Sequence, residues 1–161
     1  MAGAKIYDAI IIADEILKIA KEAGKRLTPL QLMKLTYIAQ GWSLGLGRGH
    51  LFRNKIEAWK YGPVIPDLYQ ATKIYGCKEI PLNLINENVS SVDDATDKFL
   101  RNVYGQYSRY TGVQLSSFTH VAGTPWYQVY RNGVPNIEIS DDLIKRHYQE
   151  LNNERRSAAE D

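Results

Sequence analysis

The chain has 161 residues, 44% of them hydrophobic and 24% charged, with one cysteine, Cys77. That length fits one domain, able to bury roughly 70% of its unfolded surface without staples. Twenty basic residues nearly cancel eighteen acidic ones, which disfavours nucleic acid as the main partner, and the lone cysteine excludes an internal disulfide framework and points to a reducing cytoplasm.

The first apolar stripe runs through Ile6, Ala9, Ile10, Ala13, Ile16, Leu17 and Ala20 at three- and four-residue intervals, predicting a helix from Tyr7 to about Ala23 with Gly24 as its stop. Its Ile10-Ile11-Ile12 run is flanked by Asp8, Asp14 and Glu15. The run is far shorter than the ~20 apolar residues of a membrane span, and it has no basic start with a cleavage site.

Thr28-Pro29-Leu30-Gln31 then reads as a capping box with proline at the first helical position. The helix that follows, through Leu32, Met33, Leu35, Tyr37, Ile38, Ala39, Trp42 and Leu44, is apolar nearly all the way round and is expected to be the central one. Lys34 sits inside it. Its stem either lies along apolar surface with the ammonium in water, or the cation pairs with a carboxylate or a partner. Gly45, Gly47 and Gly49 alternate in what reads as a flexible connector, since no strand precedes them and no helix opens directly after them.

Leu51 to Tyr61 is the best candidate for extended structure, and Trp59-Lys60-Tyr61-Gly62-Pro63-Val64 marks a sharp corner into a helix from Pro63 to Tyr75. Residues 77–91 read as an irregular surface segment. Helical spacing resumes from Val92 to Tyr107 with Asp93 and Asp94 in the first turn, then from Thr111 to Val121 behind a second capping box. Thr124-Pro125 opens one short helix through Trp126. Ile137-Glu138-Ile139 reads as a strand pairing with the one around Ile56, and Ser140 caps a last helix through Leu151. A polar, frayed tail is expected from about Asn152. The predicted fold is mainly α: a single compact helical domain over residues 1–161 with a small two-stranded β element.

Chemistry is sparse. His50, His120 and His147 show no ligand spacing with another metal-binding side chain, and nothing calls for a cofactor. Asp93 with Asp97, or Asp141 with Asp142, fit helix starts better than acid–base pairs. Ser116 or Ser117 with His120 has the spacing of a nucleophile and base on one helix, but no orienting acid accompanies them, and His120 equally ends its helix with Trp126 packed below. Eleven tyrosines and three tryptophans stand beside three phenylalanines, a balance common at protein contact surfaces and equally at the rim of a small core.

Lys34-Leu35 with Tyr37, the Ile56–Ala58-Trp59–Gly62-Pro63-Val64 corner, the Leu115–Thr119-His120–Pro125-Trp126 block and a closing Ile139–Leu143-Ile144 helix follow in one order. In this the chain resembles the Panacea domain, the SocA-like antitoxin family, also met as a phage-associated protein type. The likeness spans about residues 8 to 150. The resemblance implies a non-enzymatic protein that neutralises a cognate toxin, encoded by a neighbouring gene, through direct binding. A proteolytic adaptor delivering a toxin to a ClpXP-type protease is the alternative, and a phage or prophage protein binding a host factor is another. By position, Lys34, Tyr37, Trp59, Thr119, His120 and Trp126 match the family motif and, with Tyr61, are the candidate partner-binding residues. Gly62, Pro63 and Val64 form the structural corner.

Overall fold

The computed structural model describes residues 5–81 and 92–160. Seven α-helices and a three-stranded antiparallel sheet are seen among them. The first helix, α1 (Ala9–Glu22), opens at Asp8, whose carboxylate accepts the Ile10 N–H at 2.9 Å. The second, α2 (Pro29–Gly45), opens on the expected reciprocal box: Gln31 N–H donates to Thr28 Oγ1 at 3.3 Å and Thr28 N–H to Gln31 Oε1 at 3.0 Å. Every residue of α2 from Leu32 to Leu44 is buried, as its all-round apolar pattern predicts. The remaining helices are α3 (Pro66–Thr72), α4 (Asp94–Tyr107), α5 (Gly112–His120), α6 (Pro125–Val129) and α7 (Asp141–Glu160). The core forms where α1, α3, α4, α5 and α7 pack on α2.

The sheet departs from the expected two strands. Strand β1 (Glu57–Trp59) lies centrally, flanked by β2 (Gly62–Val64) and β3 (Ile137–Glu138). Pairing of Trp59 with Gly62 and Glu57 with Val64 makes β1 and β2 a tight hairpin with Lys60 and Tyr61 at its tip. Pro63 is tolerated because β2 is an edge strand. The helix therefore begins at Pro66, not at Pro63, and gives way to a 3-10 turn over Lys73–Tyr75. The expected β3 pairing is present, with Ala58 opposite Ile137.

Leu51 and Phe52, the latter in an isolated parallel bridge with Tyr7, lie outside this sheet. Their N–H groups donate to Gln40 Oε1 at 2.8 and 3.3 Å, Gln40 Nε2 donates to the Phe52 carbonyl at 2.8 Å, and Tyr7 N–H donates to the Leu51 carbonyl at 2.7 Å. A buried side-chain amide thus satisfies the backbone groups that the bridge to Tyr7 leaves over.

Gly45 belongs to α2, not to a connector. A Cβ on Gly41 or Gly45 would fall 2.2 or 2.5 Å from Tyr148 atoms, so the two glycines open the groove that lets α7 lie against α2. The frayed tail expected from about 152 is replaced by helix to Glu160. Arg155 secures that turn: its guanidinium lies 4.5 Å from the Trp42 ring centre and donates to the Tyr107 hydroxyl at 3.1 Å. Most of the irregular segment expected over 77–91, residues 82–91, lies outside the described residues.

Candidate functional site: the hairpin corner

The hairpin is held from behind through its backbone. Three carbonyls at alternate positions, those of Trp59, Tyr61 and Pro63, each accept from a side chain of a different helix. Trp126 Nε1 on α6 donates to the Trp59 carbonyl, and Ser116 Oγ on α5 donates to that of Tyr61 at 3.0 Å. Lys34 Nζ on α2 donates to that of Pro63 at 2.8 Å. The two strands of the hairpin and its turn thus each meet a different helix through one backbone carbonyl.

Lys34 is 1% exposed, and its amine reaches neither water nor a carboxylate but a buried backbone oxygen. Burial lowers its pKa from the ordinary lysine value of 10.5 to about 7. Gly62 adopts φ +119°, and a Cβ there would stand 2.8 Å from Lys34 Nζ, so both chain direction and space require glycine.

The Ser116–His120 pair is also part of this support. Ser116 Oγ is 3.4 Å from His120 Nδ1 but donates its hydrogen bond to the closer Tyr61 carbonyl. His120 meets the Trp126 ring edge-on at 5.4 Å, and Thr119 Oγ1 donates to the Ser116 carbonyl at 2.8 Å. Ser117 is exposed. Among the described residues no group of three or more His, Cys, Asp and Glu side chains gathers as a metal site, and no helix is long and apolar enough to cross a membrane.

The structure therefore divides the candidate residues in two. Lys34, Tyr37 and Thr119 are interior. Tyr37 lies in the core edge-on to Tyr148, its hydroxyl pKa raised by burial. Trp59 and Tyr61 face outward. Trp59 is half-buried, its ring 4.9 Å from Tyr69 and its Nε1 donating to Glu57 Oε1 at 3.0 Å, while Tyr61 at the hairpin tip is 72% exposed.

In front of them lies a groove of about 360 Å³ between the start of α2, the hairpin and α3. Leu30, Met33, Trp59, Tyr61 and Tyr69 give it an apolar lining, and its exposed charged residues, Lys60 and Lys73, are both cationic, with the buried amine of Lys34 behind them. Leu30 and Tyr69 were not singled out from the sequence. The only signal available was helical spacing: Leu30 and Met33 are three apart on one face of α2.

Residues 32–127 match the family model described as antitoxin SocA-like, Panacea domain. Antitoxin SocA of Caulobacter vibrioides (strain NA1000 / CB15N) is 28% identical over 156 residues, covering 88% of this chain and 82% of that protein. No solved structure matches the chain. The matched segment runs from inside α2 to inside α6, so it encloses the hairpin and all three side chains that hold its carbonyls. The chain belongs to the SocA-like Panacea domain family of antitoxins.

Proposed function

We propose that this chain neutralises a cognate toxin, encoded by a neighbouring gene, by binding it directly at the hairpin groove. The observation that carries this reading is the exposure of Tyr61 on a hairpin whose backbone is fastened to three helices. An aromatic side chain on a rigid support binds with little loss of conformational freedom, and such anchors carry most of the energy of a protein interface. Trp59, Tyr69 and Leu30 supply apolar surface around it, and the cationic lining suits a toxin segment bearing acidic residues. In this reading Lys34, Tyr37, Thr119, His120 and Trp126 act by holding the surface in shape, and Tyr61 and Trp59 make the contact.

Co-expression of the adjacent open reading frame with this chain tests the proposal. Growth arrest by the neighbour alone, rescue on co-expression and recovery of a complex in a pull-down are expected. Tyr61→Ala should leave stability within about 0.5 kcal/mol of the parent, as an exposed substitution does. It should weaken the complex by about 2 kcal/mol, the loss typical of an anchor residue. A harmless neighbour, or rescue without a complex, overturns the reading. Rescue that depends on a ClpXP-type protease would instead identify an adaptor.

A further inference from the structure

A second, larger groove of about 680 Å³ opens on another face, between the end of α4, α5 and α7. Tyr110, Phe118, Val121 and Leu151 give it an apolar floor, and Phe118 and Val121 keep 44% and 49% of their surface exposed. Tyr110 and Phe118 meet edge to face at 4.7 Å, which fixes the floor's shape.

Two arginines line the same groove, and both are held by neutral groups. Arg155 donates to Gln106 Oε1 at 2.8 Å and to the Tyr107 hydroxyl at 3.1 Å, with its guanidinium against Trp42. Arg109 lies 4.9 Å from the Tyr110 ring centre and donates to that residue's hydroxyl at 2.8 Å. Among the described residues no ion pair joins either arginine to a carboxylate, and no acidic side chain lines the groove. Glu150 and Glu154 act on His147. A guanidinium held by neutral acceptors retains its full charge and its geometric match to carboxylate.

We propose that this groove docks a segment of a partner protein that carries apolar side chains beside acidic ones. The apolar residues cover Phe118 and Val121, and the carboxylates pair with Arg155 and Arg109. The argument for this occupant is charge complementarity at the rim of an uncovered apolar floor. The inference concerns a different face from the hairpin groove and does not depend on toxin binding there.

Panning random phage-displayed peptides on the full chain, then measuring enriched sequences as labelled peptides by fluorescence anisotropy, tests the proposal. Enriched peptides should combine Asp or Glu with apolar residues. Arg109→Gln with Arg155→Gln should weaken their binding at least about tenfold, as should exchange of the peptide's acids for amides. Because Arg155 also covers Trp42, Phe118→Asp serves as a second variant free of that packing and should abolish binding. Tyr61→Ala should leave peptide affinity unchanged, which separates this site from the toxin-binding reading. Failure to enrich any sequence, no preference for acids, affinity in both variants within about twofold of the parent, or sensitivity to Tyr61→Ala would overturn it.

Discussion

Lys34 Nζ donates to the Pro63 carbonyl at 2.8 Å, joining the middle of the central helix to the hairpin across 29 positions of sequence. A lysine has three donor hydrogens, and among the described residues this one has a single acceptor, in a buried site. The amine is therefore poorly compensated as a cation, and burial lowers its pKa to about 7.

That shift makes stability depend on pH. Below about pH 7 the amine is charged in both states, and the fold bears the full cost of burying it. Between about 7 and the unfolded value of 10.5, the unfolded chain holds a proton that the folded chain has released. Stability from this group therefore rises with pH across that interval, with a limiting slope of about 1.4 kcal/mol per pH unit. In Lys34→Met the rise should disappear, and the Pro63 carbonyl, left without a donor, should cost about 1–3 kcal/mol. Urea unfolding at pH 6, 7.5 and 9 measures both, and equal slopes in parent and variant would refute the assignment. Faster amide exchange in the hairpin is expected alongside.

Gly62→Ala should be more damaging than its small added volume suggests. The residue sits at φ +119°, and the new methyl would press on Lys34 Nζ at 2.8 Å. A cost of about 1–3 kcal/mol is expected from the backbone conformation, with the displaced amine adding to it. Gly24→Ala is the comparator: its φ is +77° but nothing lies within 4 Å of the added Cβ. Thermal unfolding of both variants should show the larger loss at Gly62. A loss at Gly24 equal to or greater than that at Gly62 would remove the steric part of the argument.

Gly41→Ala tests the contact between α2 and α7. Its methyl would fall 2.2 Å from a Tyr148 ring atom, so the ring or the helix must move. Overpacking of this kind costs about 1–3 kcal/mol. In a Tyr148→Ala background the same change should cost much less, because the ring that blocks the methyl is gone. A double-mutant cycle by chemical unfolding reads the coupling, and strictly additive effects would show that the ring is not what excludes the methyl.

Glu15 supplies an opposite pH dependence on the far side of α1. Burial, then the neighbouring Asp97, raises its pKa from 4.5 to about 7, while Lys18 and Arg101 lower it by less. Asp97 moves down, favoured by a hydrogen bond from Glu15 and by Arg101. One proton between the two carboxyls fits the buried Glu15 Oε1 and Asp97 Oδ1, which have no other donor. From about pH 4.5 to 7 the unfolded chain loses a proton that the folded chain keeps, so this stabilisation falls as pH rises. Glu15→Gln should flatten the unfolding midpoint over that range. A midpoint that still falls in the variant would place the titration elsewhere.

Local signals in the sequence determined the helices. The two capping boxes, the prolines at first helical positions and the apolar spacing of α1, α2, α4 and α7 each involve residues a few positions apart, so the chain carries the information within a single turn. The order of motifs also disclosed the family, and it singled out Lys34, Trp59, His120 and Trp126 as candidate partner-binding residues with no sign of which of them meet. Their roles were not legible. Lys34 is held by a carbonyl 29 residues away, Ser116 by one 55 residues away and Trp126 by one 67 residues away. No periodicity encodes partners at such separations. The same limit bears on the missed third strand, since Gly62–Val64 lies in a hairpin whose backbone is bonded by Lys34 and Ser116. It also explains Gly45, which reads as a connector residue until Tyr148 of α7 fills the space that it and Gly41 leave. Only the tertiary structure decided which aromatic side chains became supports and which became surface, because burial depends on what the rest of the chain places over each ring.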